Sequence, residues 1–186
     1  MDVAPLEESI NCTRQVLEAV TAEQLGAPTP CASWAVSDVI EHMIGSQLYF
    51  AAAMRGQEPV RSRQPVAADN FLALYDEAAA ASLAAFTAPG AGERVLHLPF
   101  GDLPGAGAVR LAATDTFVHG WDVAAATGQP TDLAPELAAR LLEDARPAVP
   151  DALRGPDGQA AFGPEQPAPP GASNADRLAA FLGRST

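Results

Sequence analysis

The amino-acid sequence predicts an all-α protein, a bundle of helices around one core, and three observations lead to this prediction. The first is composition, since 48% of the 186 residues are hydrophobic and only 6% are aromatic, with the good helix formers Ala and Leu prominent. The second is spacing, because apolar residues recur every three or four positions in segments that Pro and Gly separate. The third is length, because a chain of this size suits one domain. We therefore expect residues 1–186 to form a single helical domain.

The charge of the chain argues against two classes of partner. Its formal net charge is −12, with eleven Arg and no Lys. Phosphate backbones and anionic lipid surfaces repel such a protein, so we expect neither nucleic acid nor a membrane surface as partner. The N-terminal stretch has neither a basic region nor an unbroken apolar run of the length typical of a signal peptide or membrane span, so we expect neither. Cys12 and Cys31 lack the spacing of a metal-binding pair. We expect a cytoplasmic protein, monomer or homodimer, that acts on a small molecule.

The first two helices are predicted from amphipathic segments with clear ends. Helix one covers about residues 5–22, with Pro and acidic residues in its first turn. The Pro-rich loop 26–30 ends it and leads to helix two, for which Ser33 or Ser37 can act as the N-cap. Helix two runs to about Arg55, and its wide apolar stripe indicates that it faces a core over most of its length.

A surface loop and a third helix come next. Residues 56–65 read as a loop, with a lid over the site left open as an alternative. Helix three covers about 67–87 and is rich in Ala. Residues 95–98 alternate like a short strand and precede turn signals, so we expect a crossover with room for a two-stranded ribbon. His97 belongs to this crossover, where we expect a loop residue rather than a pocket residue.

The second half of the chain is predicted to add three helices. Helix four covers about 107–127, and Gly128 is placed to end it. A further amphipathic helix covers 133–145, with a weak continuation across the next prolines. Residues 154–172 are rich in Pro and Gly, and we expect an extended loop laid across the bundle. A C-terminal helix at 174–182 docks through its apolar residues.

Helix four concentrates ionisable residues on one face, namely Asp115, His119 and Asp122. An Asp and a His four residues apart lie one above the other, with about 5–6 Å between Cβ atoms. Small apolar residues begin and end this face, so its carboxylates need partners, and a metal ion satisfies carboxylates and an imidazole together. His42 on helix two is the natural third donor, because His97 lies in the crossover. The sequence therefore predicts a metal site of His42, Asp115 and His119.

Simpler interpretations stay open for His42 and for Cys31. A lone histidine at the border of an apolar stripe, such as His42, is more often a hydrogen-bonded packing residue than a ligand. Cys31 precedes helix two, where the helix dipole can activate a thiol. Free cysteines are nevertheless usually small buried packing residues, and we expect this role for Cys31.

Three stretches of the chain together carry a family resemblance. They are Thr29-Pro30-Cys31-Ala32-Ser33-Trp34-Ala35-Val36 followed by His42, then Asp115-Thr116-Phe117-Val118-His119-Gly120-Trp121-Asp122-Val123-Ala124 with Thr127-Gly128, and finally Asp176-Arg177-Leu178 with Phe181-Leu182-Gly183-Arg184. In this combination the chain resembles small actinobacterial proteins related to the N-terminal domain of mycothiol-dependent maleylpyruvate isomerase. The resemblance covers nearly the whole chain.

The resemblance implies a fold, a site and a chemistry. The family is similar to DinB-like four-helix bundles that hold a divalent metal through three side chains, and these fall on His42, Asp115 and His119. Two imidazoles and one carboxylate match the ligand count of a catalytic zinc site, so zinc is the expected metal, with nickel as the alternative. Mycothiol is the implied cosubstrate. We expect a metal-dependent thiol transferase or isomerase that acts on a small electrophilic metabolite.

The chain departs from the isomerase in two respects. The isomerase has a Glu where this chain has the shorter Asp115, and Asp122 either ligates instead or accepts a hydrogen bond from the imidazole of His119. The separate C-terminal domain of the isomerase is expected to be missing, because the chain stops after Gly183-Arg184, and maleylpyruvate is then not the expected substrate. The other functions left open are a non-catalytic metal- or small-molecule-binding module, a metal-dependent hydrolase, and a bundle without metal. Five residues are candidate pocket groups, and the sequence does not distinguish among them: Glu41, Ser46, Gln47, Tyr49 and Arg110.

Overall fold

The computed structural model describes residues 1–58, 65–98, 101–156 and 159–186. Within these ranges the secondary structure consists of α-helices, two short 3-10 turns and one antiparallel ribbon. The helices are α1 (Ala4–Glu18), α2 (Val36–Met54), α3 (Phe71–Phe86), α4 (Gly105–Thr127), α5 (Pro135–Ala148) and α6 (Asn174–Phe181), and the strands are β1 (Val95–Leu98) and β2 (Gly101–Pro104). Part of the predicted loop 56–65 lies outside the described residues.

The first four helices form a closed bundle. Helix α1 packs against α3 and α4, and α2 packs against the same two helices. Helices α5 and α6 pack on each other and against α4. The interior is filled by aliphatic and aromatic side chains, among which Tyr75, Phe86 and Phe117 are the largest that are fully buried. The predicted all-α class, a four-helix bundle with extra C-terminal helices, is confirmed. The helices described here lack the length and hydrophobicity that a membrane-spanning segment needs.

The start of α2 differs from the prediction. Its N-cap residue is Ala35, whereas Ser37 lies inside the helix, so the predicted serine cap is wrong. The side chain of Asp38 instead accepts a hydrogen bond from the N–H of Ala35 at 2.9 Å. The next two N–H groups donate to the carbonyls of Ala27 and Leu25. Backbone carbonyls of the preceding loop thus satisfy the helix start, and no serine cap is needed.

Two other boundaries were predicted imperfectly. Helix α3 begins at Phe71 rather than near residue 67, because the side chain of Asn70 accepts a hydrogen bond from the N–H of Ala67 at 2.8 Å and closes a turn there. His97 lies on β1 rather than in a loop and is paired with Asp102 on β2, with 2.7 Å between Nδ1 and Oδ1. The His97 side chain is exposed.

Helix α4 runs through the centre of the protein. From Ala112 to Ala124 every residue except Asp115 is buried. Helix α1 packs tightly against α4 at Gly120, where an added Cβ would lie 2.4 Å from the hydroxyl oxygen of Thr13. That hydroxyl donates to the carbonyl of Thr116 at 3.1 Å. The glycine between His119 and Trp121 therefore fixes how α1 sits on the helix that carries the candidate ligands, and α4 ends at Gly128 as predicted.

The C-terminal segment docks on the bundle through α6. The hydroxyl of Ser173 caps α6 by accepting from the N–H of Asp176 at 3.0 Å, and the predicted docking residues Leu178, Phe181 and Leu182 are buried. The guanidinium of Arg154 lies 4.5 Å from the centre of the Phe181 ring, a distance typical of a cation–π contact.

Candidate metal centre

The structure brings the three predicted ligands together at the interface of α2 and α4. His42 Nε2 lies 3.4 Å from Asp115 Oδ1, and His119 Nε2 lies 3.6 Å from the same oxygen. One donor atom from each residue can be chosen so that all three lie within 4.8 Å of one another. Two imidazoles from different helices therefore converge on a single carboxylate oxygen.

These separations suit a shared cation better than direct hydrogen bonds. A charge-assisted N–H···O bond is normally about 2.7–2.9 Å long, and both contacts to Asp115 are longer. A tetrahedral metal ion with bonds of about 2.0–2.2 Å has edges of about 3.3–3.6 Å between neighbouring donors. The distances of 3.4 and 3.6 Å fall in this range. The shorter side chain of Asp115 thus reaches the point where both imidazoles meet.

Asp115 is held as a carboxylate by its neighbours. Burial raises the pKa of Asp115, but attraction to His42 and hydrogen bonding with it, together with His119 and the hydroxyl of Ser46, hold the pKa well below its usual range. The Ser46 hydroxyl donates to Oδ2 at 2.8 Å, which leaves Oδ1 for the two imidazoles. The Asp115 side chain is 24% exposed, so it is not sealed from solvent.

The tautomer of His119 follows from its second contact. Nδ1 of His119 lies 2.9 Å from Oδ2 of Asp122, and an ionised carboxylate can only accept a hydrogen bond. Burial lowers the pKa of His119, although the hydrogen bond with Asp122 opposes this shift. When the ring is neutral, this contact places its proton on Nδ1. The lone pair of Nε2 then faces the Asp115 carboxylate, an arrangement that a cation between the two atoms would satisfy, so the residues fit a divalent metal.

Asp122 occupies a closed environment. Its side chain is fully buried, and both of its oxygens accept hydrogen bonds from Arg184, Oδ1 from Nε at 3.1 Å and Oδ2 from Nη2 at 2.9 Å. Burial raises the pKa of Asp122, but attraction to Arg184 and its hydrogen bonds with Arg184 and His119 hold the pKa well below its usual range. Of the two roles considered for Asp122, the contacts are those of an acceptor for His119.

Cys31 lies beside this buried carboxylate. Its thiol is 3.3 Å from Oδ2 of Asp122 and 3.4 Å from Nη2 of Arg184, and the residue is only partly buried. Cys31, His119 and Asp122 also satisfy the distance criterion for a metal site. The Arg184 guanidinium, however, already neutralises Asp122, so a second cation would be repelled there. The expected packing role of Cys31 therefore does not account for its contacts with Asp122 and Arg184.

Trp34 completes the site from the loop before α2. Its ring centre lies 4.8 Å from that of His42 and 5.7 Å from that of His119. The two imidazole rings are 4.6 Å apart and nearly perpendicular. The indole therefore limits the movement of both imidazoles. His42 keeps 31% of its side chain exposed.

The other suggested pocket residues have different positions. Ser46 contacts Asp115, as described above. Gln47 is buried and its amide nitrogen donates to a threonine hydroxyl on α4 at 2.6 Å, whereas Arg110 lies 4.0 Å from Asp144 of α5. Sequence reasoning assigned no role to Arg184. A buried carboxylate such as that of Asp122 needs a nearby cation, but the sequence does not indicate which arginine supplies it.

Comparison with protein families identifies the group to which the chain belongs. The model of the mycothiol maleylpyruvate isomerase N-terminal domain matches residues 6–124, a range that contains most of α1, all of α2 and α3, and most of α4. The chain belongs to this family. The resemblance inferred from the sequence is thereby confirmed, and the candidate ligands lie within the matched region.

Two relatives of the chain come from Mycobacterium tuberculosis. Two uncharacterized proteins, one from strain CDC 1551 / Oshkosh and one from strain ATCC 25618 / H37Rv, are each 43% identical to the chain over 172 residues. The alignment covers 91% of this chain and 90% of each relative.

Two solved structures resemble the protein in fold. They are crystal structures of the mycothiol-dependent maleylpyruvate isomerase and of a histidine-to-alanine mutant of it, with TM-scores of 0.63 and 0.62. Each is 16% identical to this chain, and the match covers 75% of this chain and 65% of the isomerase. The chain thus spans about two thirds of the isomerase. At this identity the likeness establishes the DinB-like fold.

Proposed function

We propose that the protein is a metal-dependent thiol transferase or isomerase that uses mycothiol as cosubstrate and acts on a small electrophilic metabolite. In this proposal His42, Asp115 and His119 hold a divalent metal, zinc first and nickel as the alternative. The observation that carries the proposal is the convergence of two imidazole nitrogens on one carboxylate oxygen at 3.4 and 3.6 Å. Membership of the mycothiol maleylpyruvate isomerase family supports mycothiol as the thiol.

A divalent metal held here would supply Lewis acidity that lowers the pKa of a bound thiol, so that the thiol reacts as a thiolate at neutral pH. The protein supplies the geometry. Ser46 fixes one oxygen of Asp115 and leaves the other for the metal, and Asp122 keeps the proton of His119 on Nδ1. The Trp34 indole covers the imidazoles on one side. Three protein donors leave a coordination position for the thiol.

The substrate in this proposal is an electrophile small enough to enter beside the exposed parts of His42 and Asp115. A thiolate can open an epoxide, displace a leaving group, or add to a conjugated double bond and be expelled again after isomerisation. The first two reactions consume the thiol, whereas an isomerisation returns it. Thiol consumption therefore separates a transferase from an isomerase.

Metal content tests the proposal that the protein binds a divalent metal. We expect about one zinc or nickel ion per chain in the purified protein by elemental analysis, and loss of that metal in the His42→Ala and His119→Ala variants. His97→Ala is the matched control, because this exposed histidine lies on the ribbon and its removal should leave the metal in place. Metal retained in His119→Ala would contradict the assigned ligands.

A thiol-conjugation screen tests the second half. Metal-loaded protein is given mycothiol with epoxides, alkyl halides and conjugated enones, and both thiol and electrophile are followed. Metal-dependent turnover that needs mycothiol supports the proposal. Hydrolysis that proceeds without thiol would indicate a hydrolase, and thermal protection by mycothiol without turnover of any electrophile would indicate a binding module.

A further inference from the structure

The C-terminal segment contributes an arginine, Arg184, that lies beside the partner of a candidate ligand. Gly183, directly after α6, has a φ of +98°, and an added Cβ would lie 2.6 Å from Cα of Gly163. The N–H of Arg184 then donates to the carbonyl of Ala179 at 2.9 Å. This turn directs the Arg184 side chain into the protein, where only 11% of it remains exposed.

The hydrogen bonds of Arg184 are directed to protein atoms. Nε and Nη2 bind the two oxygens of Asp122 side by side, and Nη1 donates to the carbonyl of Leu182 at 3.0 Å. Nη2 also contacts the thiol of Cys31. A bidentate guanidinium–carboxylate pair fixes the plane of the carboxylate as well as its position. Arg184 is therefore occupied with holding Asp122 and is not placed to bind a substrate.

The orientation of Asp122 affects His119, which lies one turn earlier on α4. The carboxylate plane that Arg184 fixes directs Oδ2 at Nδ1 of His119. This contact decides which ring nitrogen carries the proton and which one is free for a metal. Three residues, contributed by the C-terminal segment and α4, thus form a chain of contacts that ends at Nδ1 of His119, on the opposite side of the ring from Nε2.

We propose that Arg184 is a positioning residue of the metal centre, which acts through Asp122 to keep Nε2 of His119 unprotonated and directed at Asp115. The inference rests on the proposed function, because it concerns the same site. It also predicts which ring nitrogen of His119 carries the proton in the protein without metal. The C-terminal turn is in this view part of the centre, although it lies more than sixty residues after its last ligand.

The test compares Arg184→Gln with Arg154→Gln. Arg154 anchors the same segment through the carbonyls of Gly163 and Phe181 but makes no hydrogen bond to Asp122. We expect Arg184→Gln to bind zinc about 10–100-fold more weakly in competition with a chromophoric chelator, as is typical when a residue behind a ligand is removed. Arg154→Gln should stay within a few-fold of wild type. Equal losses in both variants would show a merely structural role and overturn the proposal.

A second readout needs no metal. Nitrogen-15 NMR of the imidazole rings in metal-free protein should give His119 with its proton on Nδ1 in the wild type. In Arg184→Gln the released carboxylate turns away from the ring, so Nε2 should carry the proton in a measurable share of molecules. An unchanged His119 tautomer in the variant would refute the inference. If the wild type binds no zinc, the proposed function fails, while this measurement still decides the role of Arg184.

One further variant covers the case in which Arg184→Gln does not fold. Arg184→Gln leaves the buried Asp122 without its cation, which destabilises a protein. The double variant Arg184→Gln/Asp122→Asn removes both charges and should fold better. We expect it to bind zinc as weakly as the single variant and to show both His119 tautomers. Wild-type zinc affinity in the double variant would overturn the proposal.

Discussion

The two candidate-site aspartates of α4 lie on one helix face but differ in their surroundings. Asp115 is partly exposed and contacts two imidazoles and a hydroxyl, whereas Asp122 is sealed against Arg184. Helical spacing predicted that both carboxylates share a face with His119. It did not predict which one is open to a ligand, because the difference arises from Arg184, far away in the sequence.

Among the residues of the candidate site, Ser46 is the simplest to test. Ser46→Ala removes the hydrogen bond to Oδ2 of Asp115, so the carboxylate can rotate and present Oδ1 less often. We expect zinc affinity to fall about tenfold, as measured by chelator competition. Ser82→Ala is the matched control, because the buried Ser82 hydroxyl has no hydrogen-bond partner in the described part of the chain. Equal affinities in the two variants would exclude a role for Ser46.

Among the elements, the long helices were predictable and the short segments were not. The apolar repeats of α1, α2 and α4 are long, and Gly follows the ends of α2 and α4, so these two ends were predicted within about a residue. Helix α1 ends at Glu18, before the predicted residue 22, because the nearest Gly and Pro come only at residues 26 and 28. The two-stranded ribbon was predicted only as an option, and His97 was expected in a loop. Four residues show too little periodicity to distinguish a strand from a loop. The cap of α2 was mispredicted because it depends on tertiary contacts with the carbonyls of Leu25 and Ala27.

The contact between α1 and α4 can be tested at Gly120. A methyl group added there would meet the side chain of Thr13 at 2.4 Å, so Gly120→Ala must push the two helices apart. We expect a loss of about 1–3 kcal/mol in the free energy of unfolding, measured by urea denaturation, as is usual for overpacking. Gly26→Ala is the control, because no atom lies within 4 Å of an added Cβ there. Similar stabilities of both variants would contradict the described packing.

For the whole molecule, the fold class followed from composition and periodicity, and the family match and the likeness in fold agree with it. The sequence also predicted that residues distant along the chain, on α2 and α4, would meet. The closed arrangement of α1 to α4 explains why, since α2 and α4 pack directly on each other. The expectations of a cytoplasmic location and of a monomer or homodimer stay predictions.

Metal binding should stabilise the whole protein. A ligand that binds only the folded state at 100 times its Kd adds about 2.7 kcal/mol, which corresponds to about 5–10 °C in Tm for a chain of this length. We therefore expect zinc to raise Tm by this amount in differential scanning calorimetry, and a chelator to reverse the increase. The His42→Ala variant should show no increase. A rise of the same size in that variant would place zinc elsewhere.

The distribution of donors between two helices has a mechanical consequence. Asp115, His119 and the carboxylate that orients it move together on α4, while His42 and Ser46 move together on α2. Metal-site geometry tolerates displacements of only about 0.5 Å, so affinity for the proposed ion would depend strongly on the spacing between these two helices. Core substitutions that shift α2 relative to α4, even at positions such as Gln47 that touch no donor, should therefore be detectable as altered metal retention.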